Sequence, residues 1–249
     1  MPHSHPPYGP QGMKSGTYFH FKQFSVRHDR CAMKVGTDAV LLGSWVDVLR
    51  AENVLDIGTG SGVIALMLAQ RTTDSVGIES VEIEKSAADQ ASENFRNSPW
   101  SSRIAVHQLA AQDFFPTIRF DLIVTNPPYF NKSLQPPDKV RHQVRHTASL
   151  SYEHLLSTVT RLLTSQGRFD VILPYQEGIE FSELAVQHGL YCKRRYHFRT
   201  RKEKPVERTL LEFTTQAHNV DEGEILLYEN GLEWSTSYRN LVSDFYIKG

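Results

Sequence analysis

The stretch VLDIGTGSG, from Val54 to Gly62, limits the possible folds of this 249-residue chain more than any other part of its sequence. Its first four residues predict a short buried strand, and the apolar segment Val63 to Arg71 that follows predicts a helix. Between the two lie three glycines at alternate positions, Gly58, Gly60 and Gly62. Glycines in this arrangement let the backbone turn tightly and approach a ligand where a Cβ atom would clash. The stretch therefore predicts a ligand-binding turn between a strand and a helix.

Strands and helices continue to alternate along the chain. Further strands are predicted at Ser75 to Val81 (ending at Glu82), Ile104 to His107, Phe120 to Thr125, Arg168 to Leu173, Tyr191 to His197 and Thr209 to Thr214. Further helices are predicted at Lys85 to Asn97, Tyr152 to Leu163, Ile179 to Gln187 and Ser237 to Phe245. This alternation predicts a three-layer α/β fold with a mainly parallel central sheet. We expect a flexible, proline-rich tail over residues 1–17 and a single domain over 18–249 that begins with a basic segment, 18–52.

The composition argues against several other classes of protein. The 27 Lys and Arg residues nearly balance 28 Asp and Glu residues, and 40% of the chain is hydrophobic, as in ordinary globular proteins. The longest strictly apolar run, Val63 to Ala69, is far shorter than the ~20 residues that a membrane-spanning helix needs. We see no secretory signal and expect a cytoplasmic location without a membrane partner. Cys31 and Cys192 form no C-x-x-C pair, so we expect no metal site, and no stable protein partner is evident.

Glu82 adds a second ligand-binding feature. It lies at the end of the second predicted strand, 26 residues after Asp56, where an acidic side chain can accept hydrogen bonds from both hydroxyls of a ribose. Two ligand classes fit a glycine turn and such a carboxylate: a nicotinamide dinucleotide and S-adenosylmethionine. A dinucleotide fingerprint normally runs G-x-G-x-x-G. The observed spacing G-x-G-x-G, with Asp56 just before the first glycine, favours S-adenosylmethionine.

The tetrapeptide Asn126-Pro127-Pro128-Tyr129 follows the predicted strand FDLIVT, at the sheet edge where open α/β folds bind ligands. The lone pair of an exocyclic amine is delocalised into its ring, which makes the nitrogen a poor nucleophile. Hydrogen bonds from its N–H groups to the Asn126 side-chain oxygen and the Pro127 carbonyl would stabilise the positive charge that develops on it. The prolines would keep the loop rigid, and Tyr129 can stack on a flat target. Positioning then suffices, and neither a metal nor a nucleophilic side chain is needed.

Together, VLDIGTGSG, Glu82 and NPPY resemble class I S-adenosylmethionine-dependent amino-methyltransferases, which have a Rossmann-like fold. The segment FKQFSVRHDRCAMKVGTDAVLLGSW, Phe21 to Trp45, is more specific. With the rest of the chain it is similar to the bacterial tRNA1(Val) adenine-37 N6-methyltransferases. The resemblance extends from about Phe21 to the C-terminus.

The resemblance implies roles for individual residues. The glycines would face the methionine part of S-adenosylmethionine, Glu82 its ribose, and Asn126, Pro127 and Tyr129 the target adenine. Thr37 and Asp38 resemble a helix start that flanks the cofactor, although both are also ordinary N-cap residues. Such enzymes commonly place an Asp after the third strand; Ala110 stands there, and Asp113 follows. The implied cofactor-binding residues are Asp56, Gly58, Gly60, Gly62, Glu82, Thr37, Asp38 and Asp113.

Three segments with excess positive charge, Met13 to Lys34, Lys132 to His146 and Lys193 to Arg208, are interleaved with aromatic residues. Such a distribution is typical of a nucleic-acid-binding surface, although each segment alone could be a solvated face. The candidate RNA-binding residues are Lys22, Arg27, Arg30, Lys34, Arg141, Arg145, Arg199, Arg201 and Lys202.

Three functions remain open from the sequence. The first is methylation of adenine N6 in tRNA, and the resemblance alone implies adenine 37 of tRNA1(Val) as the target. The second is methylation of a glutamine side-chain amide in a release factor, because the NPPY motif also resembles that of the release-factor glutamine methyltransferases. The third is a nucleic-acid-binding module without catalysis, against which the intact NPPY motif and Glu82 argue.

Overall fold

The computed structural model describes residues 17–128 and 150–247 of the chain. Residues 1–16 of the predicted tail, Tyr129, Arg141 and Arg145 lie outside the described residues. The described helices are α1 (Thr37–Trp45), α2 (Val63–Arg71), α3 (Lys85–Arg96), α4 (Tyr152–Leu162), α5 (Tyr175–Gln187) and α6 (Thr236–Val242), with a short 3-10 helix at Ala111–Asp113.

Twelve strands are described: β1 (Tyr18–His20), β2 (Ser25–Arg27), β3 (Asn53–Ile57), β4 (Gly77–Glu82), β5 (Ile104–Gln108), β6 (Phe120–Thr125), β7 (Leu163–Pro174), β8 (Tyr191–Arg199), β9 (Arg208–Thr214), β10 (Asp221–Leu226), β11 (Tyr228–Asn230) and β12 (Glu233–Trp234). Eight of them form one sheet in the order β10-β8-β9-β7-β6-β3-β4-β5. Only β9 is antiparallel to its neighbours, β7 and β8, and the other adjacent pairs are parallel. The predicted, mainly parallel sheet is confirmed.

Helices cover both faces of this sheet, because side chains of successive strand residues point to opposite faces. On one face, Val54 of β3 belongs to a core that includes α1, α2, α3 and α6. On the other face, Leu55 and Ile57 of the same strand pack with α4 and α5. The expected three-layer α/β/α arrangement is therefore confirmed. Among the described residues, no helix has both the length and the apolar character to cross a membrane.

Two aromatic residues of the first basic segment, Phe21 and Phe24, lie in the core. Phe21 and Phe24 are 4% and 6% exposed, and their rings stack with centroids 4.5 Å apart. Phe24 also meets Trp100 edge-on, and Phe21 contacts Phe245 of the C-terminal segment. The interpretation of these phenylalanines as part of a nucleic-acid-binding surface was wrong, because they join the two ends of the chain to the core.

Candidate functional site

Three neighbouring strands end in register at one edge of the sheet. Ile57 of β3 pairs with Thr125 of β6 and with the residue that precedes Glu82 on β4. The Thr125 hydroxyl also donates a hydrogen bond of 2.8 Å to the Ile57 carbonyl, which ties the ends of β3 and β6 together. As a result Asn126, Gly58 and Glu82, which come from three separate parts of the sequence, lie along one edge of the sheet.

The glycine loop after β3 adopts the left-handed backbone that its sequence predicts. Gly58, Gly60 and Gly62 have φ angles of 70°, 56° and 82°. A Cβ atom added at Gly58 or Gly60 would have no neighbour within 4 Å, whereas one at Gly62 would lie 2.4 Å from the Phe95 ring. The first two glycines therefore leave open space above the loop, and the third allows α3 to pack closely against it.

The Glu82 carboxylate is hydrogen-bonded to this loop. Its Oε2 accepts a hydrogen bond of 2.9 Å from the Gly60 N–H, and its Oε1 accepts one of 3.0 Å from the Glu84 N–H. An ionised carboxylate offers about four acceptor positions, so each oxygen can accept a further bond. The same side chain can hold the loop and accept hydroxyl donors from a ligand.

Asp56 lies beneath the loop and is fully buried. Its Oδ2 accepts a hydrogen bond of 2.6 Å from the Thr59 hydroxyl, while its Oδ1 has no partner among the described residues. Burial raises the pKa of Asp56 from 3.8 to about 7, because an ionised carboxylate is poorly solvated there. In the structure, Asp56 holds the glycine loop through the Thr59 hydroxyl. Its contact with the cofactor stays a prediction.

A cavity of about 350 Å³ opens beside Asn126. Asn126 is the first residue after β6, and its Oδ1 is buried without a hydrogen-bond partner in the described part of the chain. A buried acceptor without a partner is costly, which favours a donor from a bound molecule. The cavity is lined by Met33, Lys34, Gly36, Thr37, Asp38, Ala39, Asn126, Phe198, Thr200, Glu207, Arg208 and Leu227.

Thr37 and Asp38 form the first turn of α1 and line this cavity. The N-cap of α1 is Gly36, so Thr37 and Asp38 lie inside the first turn and neither is the ordinary N-cap residue that was the alternative. Asp38 Oδ2 instead accepts a hydrogen bond of 2.9 Å from Arg208 Nε. Arg208 was missed as a residue of the cavity because its sequence neighbours suggested only a basic surface.

Asp113 and Pro127 are two further predicted site residues that the structure describes. Asp113 ends the 3-10 helix that follows β5, and its side chain is exposed. Pro127 is buried directly after Asn126. Their contacts with cofactor and target remain predictions.

Several candidate RNA-binding cations of the first basic segment have partners within the protein. Lys22 Nζ donates to the Ser243 carbonyl at 2.6 Å. Arg27 makes two hydrogen bonds to Asp29, of 2.8 and 2.9 Å, and Arg30 pairs with Glu93. Arg27 and Asp29 lie beside each other, and this hydrogen bond lowers the pKa of Asp29 to about 2. Lys34, in contrast, is exposed at the cavity beside Asn126.

The third basic segment also supplies ion pairs to the sheet. Arg195 lies opposite Glu222 on β10 and pairs with it at 3.0 Å, and Arg199 pairs with Glu224 at 2.6 Å. Arg201 lies over the Tyr228 ring, 5.4 Å from its centroid. Lys202 is exposed and has no ion pair within the described ranges. The roles of Arg199, Arg201 and Lys202 in RNA binding stay predictions. Within the described residues, Arg199 is paired with a carboxylate, whereas Arg201 and Lys202 have no ion pair.

Among the described residues, no group of three His, Cys, Asp or Glu side chains lies together in a way that could hold a metal ion. Cys31 and Cys192 are free thiols.

Solved structures share this fold. A protein from Agrobacterium tumefaciens described as a predicted O-methyltransferase aligns with a TM-score of 0.64 and 20% identity, over 84% of this chain and 96% of the other. A glycopeptide N-methyltransferase in complex with S-adenosylmethionine aligns with a TM-score of 0.54 and 11% identity, over 74% of this chain and 100% of the other. These similarities show the class I methyltransferase fold.

Sequence comparisons give a narrower assignment. The methyltransferase small domain family matches residues 31–180. The tRNA1(Val) (adenine(37)-N6)-methyltransferase of Yersinia pestis (strain Pestoides F) is 46% identical over 239 residues, which cover 95% of this chain and 96% of the relative. The protein of the same name from Yersinia pseudotuberculosis serotype O:1b (strain IP 31758) gives the same values, 46% over 239 residues. The chain therefore belongs to the methyltransferase small domain family and, within it, to the tRNA1(Val) (adenine(37)-N6)-methyltransferases.

Proposed function

We propose that this chain transfers the methyl group of S-adenosylmethionine to N6 of adenine 37 in tRNA1(Val). The names of relatives that are similar over nearly the full length support the substrate. The observation that carries the reaction is the Asn126 side-chain oxygen, which is buried beside a cavity at the end of β6 and has no hydrogen-bond partner among the described residues. In the proposed reaction this oxygen accepts a hydrogen bond from the target amino group.

The residues present fit S-adenosylmethionine. The open space above Gly58 and Gly60 would hold the methionine part, and the two Glu82 oxygens would accept bonds from the ribose hydroxyls. When bound, S-adenosylmethionine supplies an electrophilic methyl group on a sulfonium. The Asp113 side chain, exposed after β5, is the proposed contact for the cofactor adenine.

The loop after β6 would activate the target amine. Asn126 Oδ1 and the Pro127 carbonyl accept hydrogen bonds from the two N6–H groups, which turns the nitrogen lone pair out of conjugation with the ring. The same two acceptors stabilise the positive charge that grows on nitrogen during transfer. Tyr129 would stack on the adenine, and the apolar side chains of Phe198 and Leu227 line the cavity that would receive it.

Phosphate contacts would come from cations near the same end of the sheet. Lys34 lines the cavity, and Arg201 and Lys202 follow strand β8, whose Phe198 also lines it. Arg141 and Arg145, of the second basic segment, are also proposed to contact phosphates. A tRNA substrate supports a cytoplasmic site of action.

Methylation of defined substrates tests the proposal. Wild-type protein is incubated with labelled S-adenosylmethionine and one of three substrates: a tRNA1(Val) transcript, the same transcript with guanosine at position 37, or a release factor. We expect label in the first substrate only, recovered as N6-methyladenosine after digestion. Label in the release factor instead would favour glutamine methylation, and label in none of them would contradict the proposal.

Asn126→Ala tests the role of the buried oxygen. Turnover should fall by about 10²–10³, as when an oxyanion-hole donor is removed, while calorimetric affinity for S-adenosylmethionine stays within about twofold. Asn97→Ala is a matched control, because Asn97 is exposed at the end of α3. Near-normal turnover of Asn126→Ala would contradict the mechanism.

A further inference from the structure

Residues 27–36, RHDRCAMKVG, form a strap that runs from β2 to the start of α1. The end of the strap beside α1 contributes Met33, Lys34 and Gly36 to the cavity next to Asn126. The strap is closed on itself by a hydrogen bond of 3.2 Å from the Val35 N–H to His28 Nδ1. One continuous segment therefore forms part of the wall around the proposed target.

The first half of the strap is held by two buried amides on α3. Gln90 is 0% exposed; its Oε1 accepts the Arg30 N–H at 2.8 Å, and its Nε2 donates to Asp29 Oδ1 at 2.8 Å. Asn94 is 3% exposed; its Oδ1 accepts the Arg27 N–H at 2.9 Å, and its Nδ2 donates to the Arg27 carbonyl at 2.8 Å. Residues four apart on a helix share one face, which directs both amides to the strap.

Asn94 also contacts the glycine loop. Its Nδ2 donates a second hydrogen bond, of 2.8 Å, to the carbonyl of Ser61, which lies between Gly60 and Gly62. Both N–H donors of this amide are therefore used, one on the strap and one on the loop. Gly60, the residue before Ser61, donates to Glu82. The carboxylate proposed to bind the ribose and the amide that holds the strap therefore bind adjacent residues of the loop.

Cys31 provides a second sign that the strap lies close to Glu82. Burial, and next the negative charge of Glu82, raise the pKa of the Cys31 thiol to about 11. The thiol is therefore protonated at neutral pH, and it donates to Gln90 Oε1 at 3.4 Å. The middle of the strap thus contacts the anchoring amide and is near enough to Glu82 to feel its charge.

We propose that Asn94 is a positioning residue that couples the glycine loop to the strap, so that cofactor binding orders the wall of the target cavity. The coupling rests on the proposed function for the identity of its ligand. A cofactor that fixes the loop fixes the Ser61 carbonyl, the carbonyl orients the Asn94 amide, and the amide holds Arg27 at the start of the strap. Gln90 anchors the next residues of the strap but makes no hydrogen bond to the loop.

Amide hydrogen exchange of the full chain, without tRNA, tests the coupling independently of methyl transfer. In wild-type protein, S-adenosylmethionine should slow exchange at least tenfold both in the loop, 58–62, and in the strap, 27–36. In Asn94→Asp, the donor to both carbonyls is replaced by a carboxylate oxygen that repels them, so protection of the loop should remain while protection of the strap is lost. Asn97→Asp makes the same chemical change at an exposed site of α3 and should behave as wild type.

Gln90→Glu gives a second test in case Asn94→Asp does not fold, as judged by thermal melting. It places a carboxylate beside Asp29 and leaves both contacts of Asn94 intact, so cofactor should still protect the loop and residues 27–28, while residues 29–31 lose their protection. Protection of the loop alone in wild type, a strap that cofactor still protects in Asn94→Asp, or loss of protection at residues 27–28 in Gln90→Glu would overturn the coupling. Absence of protection in both segments of wild type would overturn the proposed cofactor and the coupling with it.

Discussion

Replacing Asp56 by Asn should remove a pH-dependent loss of stability. Asp56 is fully buried under the glycine loop, and its pKa is raised from 3.8 to about 7. The folded chain therefore binds a proton more tightly than the unfolded chain. Stability is undiminished below the unfolded pKa and falls as the pH rises toward the folded pKa, because ionisation then favours the unfolded chain.

The size of the effect follows from the two pKa values. A difference of one unit corresponds to about 1.4 kcal/mol, so a rise from 3.8 to about 7 costs the fold about 4 kcal/mol at high pH. Part of this cost is already present at pH 5, and about 3 kcal/mol of it develops between pH 5 and pH 8. An Asn side chain has nearly the shape of a protonated Asp and can still accept the Thr59 hydroxyl, so it avoids the cost.

Urea denaturation of the protein without cofactor at pH 5 and pH 8 measures this difference. We expect wild type to lose about 3 kcal/mol of stability relative to Asp56→Asn between pH 5 and pH 8, because the variant does not ionise at this position. Asp74→Asn, at an exposed carboxylate, controls for the loss of a negative charge. The same change with pH in wild type and Asp56→Asn would refute the reasoning.

Three further changes test the loop, the carboxylate and the basic surface. Gly62→Ala should destabilise the fold by about 3 kcal/mol in denaturation, since φ is 82° and the new methyl would lie 2.4 Å from the Phe95 ring; a loss below about 1 kcal/mol would contradict the packing role. Glu82→Ala should weaken S-adenosylmethionine binding by about 1.5–3 kcal/mol in calorimetry, and unchanged affinity would argue against the ribose contact. Replacing Arg201 and Lys202 together by Ala should weaken tRNA binding and reduce the slope of log affinity against log salt by about 2, whereas an unchanged slope would assign both cations to a solvated face.

The sequence predicted the elements that have strong local patterns. The helix Val63–Arg71 and the strand Phe120–Thr125 begin and end where predicted, because each is an apolar run bounded by glycine or proline. Strand β10 was missed because its sequence, DEGEIL, has three carboxylates and no apolar alternation. It forms a strand because those carboxylates meet arginines on β8, and such a pairing depends on distant parts of the chain.

The residues of the candidate site also differ in whether the local sequence could predict them. The glycine loop, Glu82 and Asn126 could be predicted because each is local and follows a predicted strand. The Asp38–Arg208 contact and the α3 amides that hold the strap join residues that are 59 to 170 positions apart. Nothing in the local sequence of Gln90 or Asn94 distinguishes a buried amide from an exposed one on the polar side of a helix.

The acidic strand β10 has a consequence for how this protein behaves at high concentration. An outermost strand exposes unpaired backbone N–H and C=O groups, which can recruit a strand from another molecule. β10 ends the described sheet, and its Asp221, Glu222 and Glu224 are balanced by arginines on one side only. A second copy that approached edge to edge would bring its own three carboxylates against these without any arginine between them. Like-charge repulsion at this boundary would keep sheets of different molecules apart, and raising the salt concentration would weaken that protection.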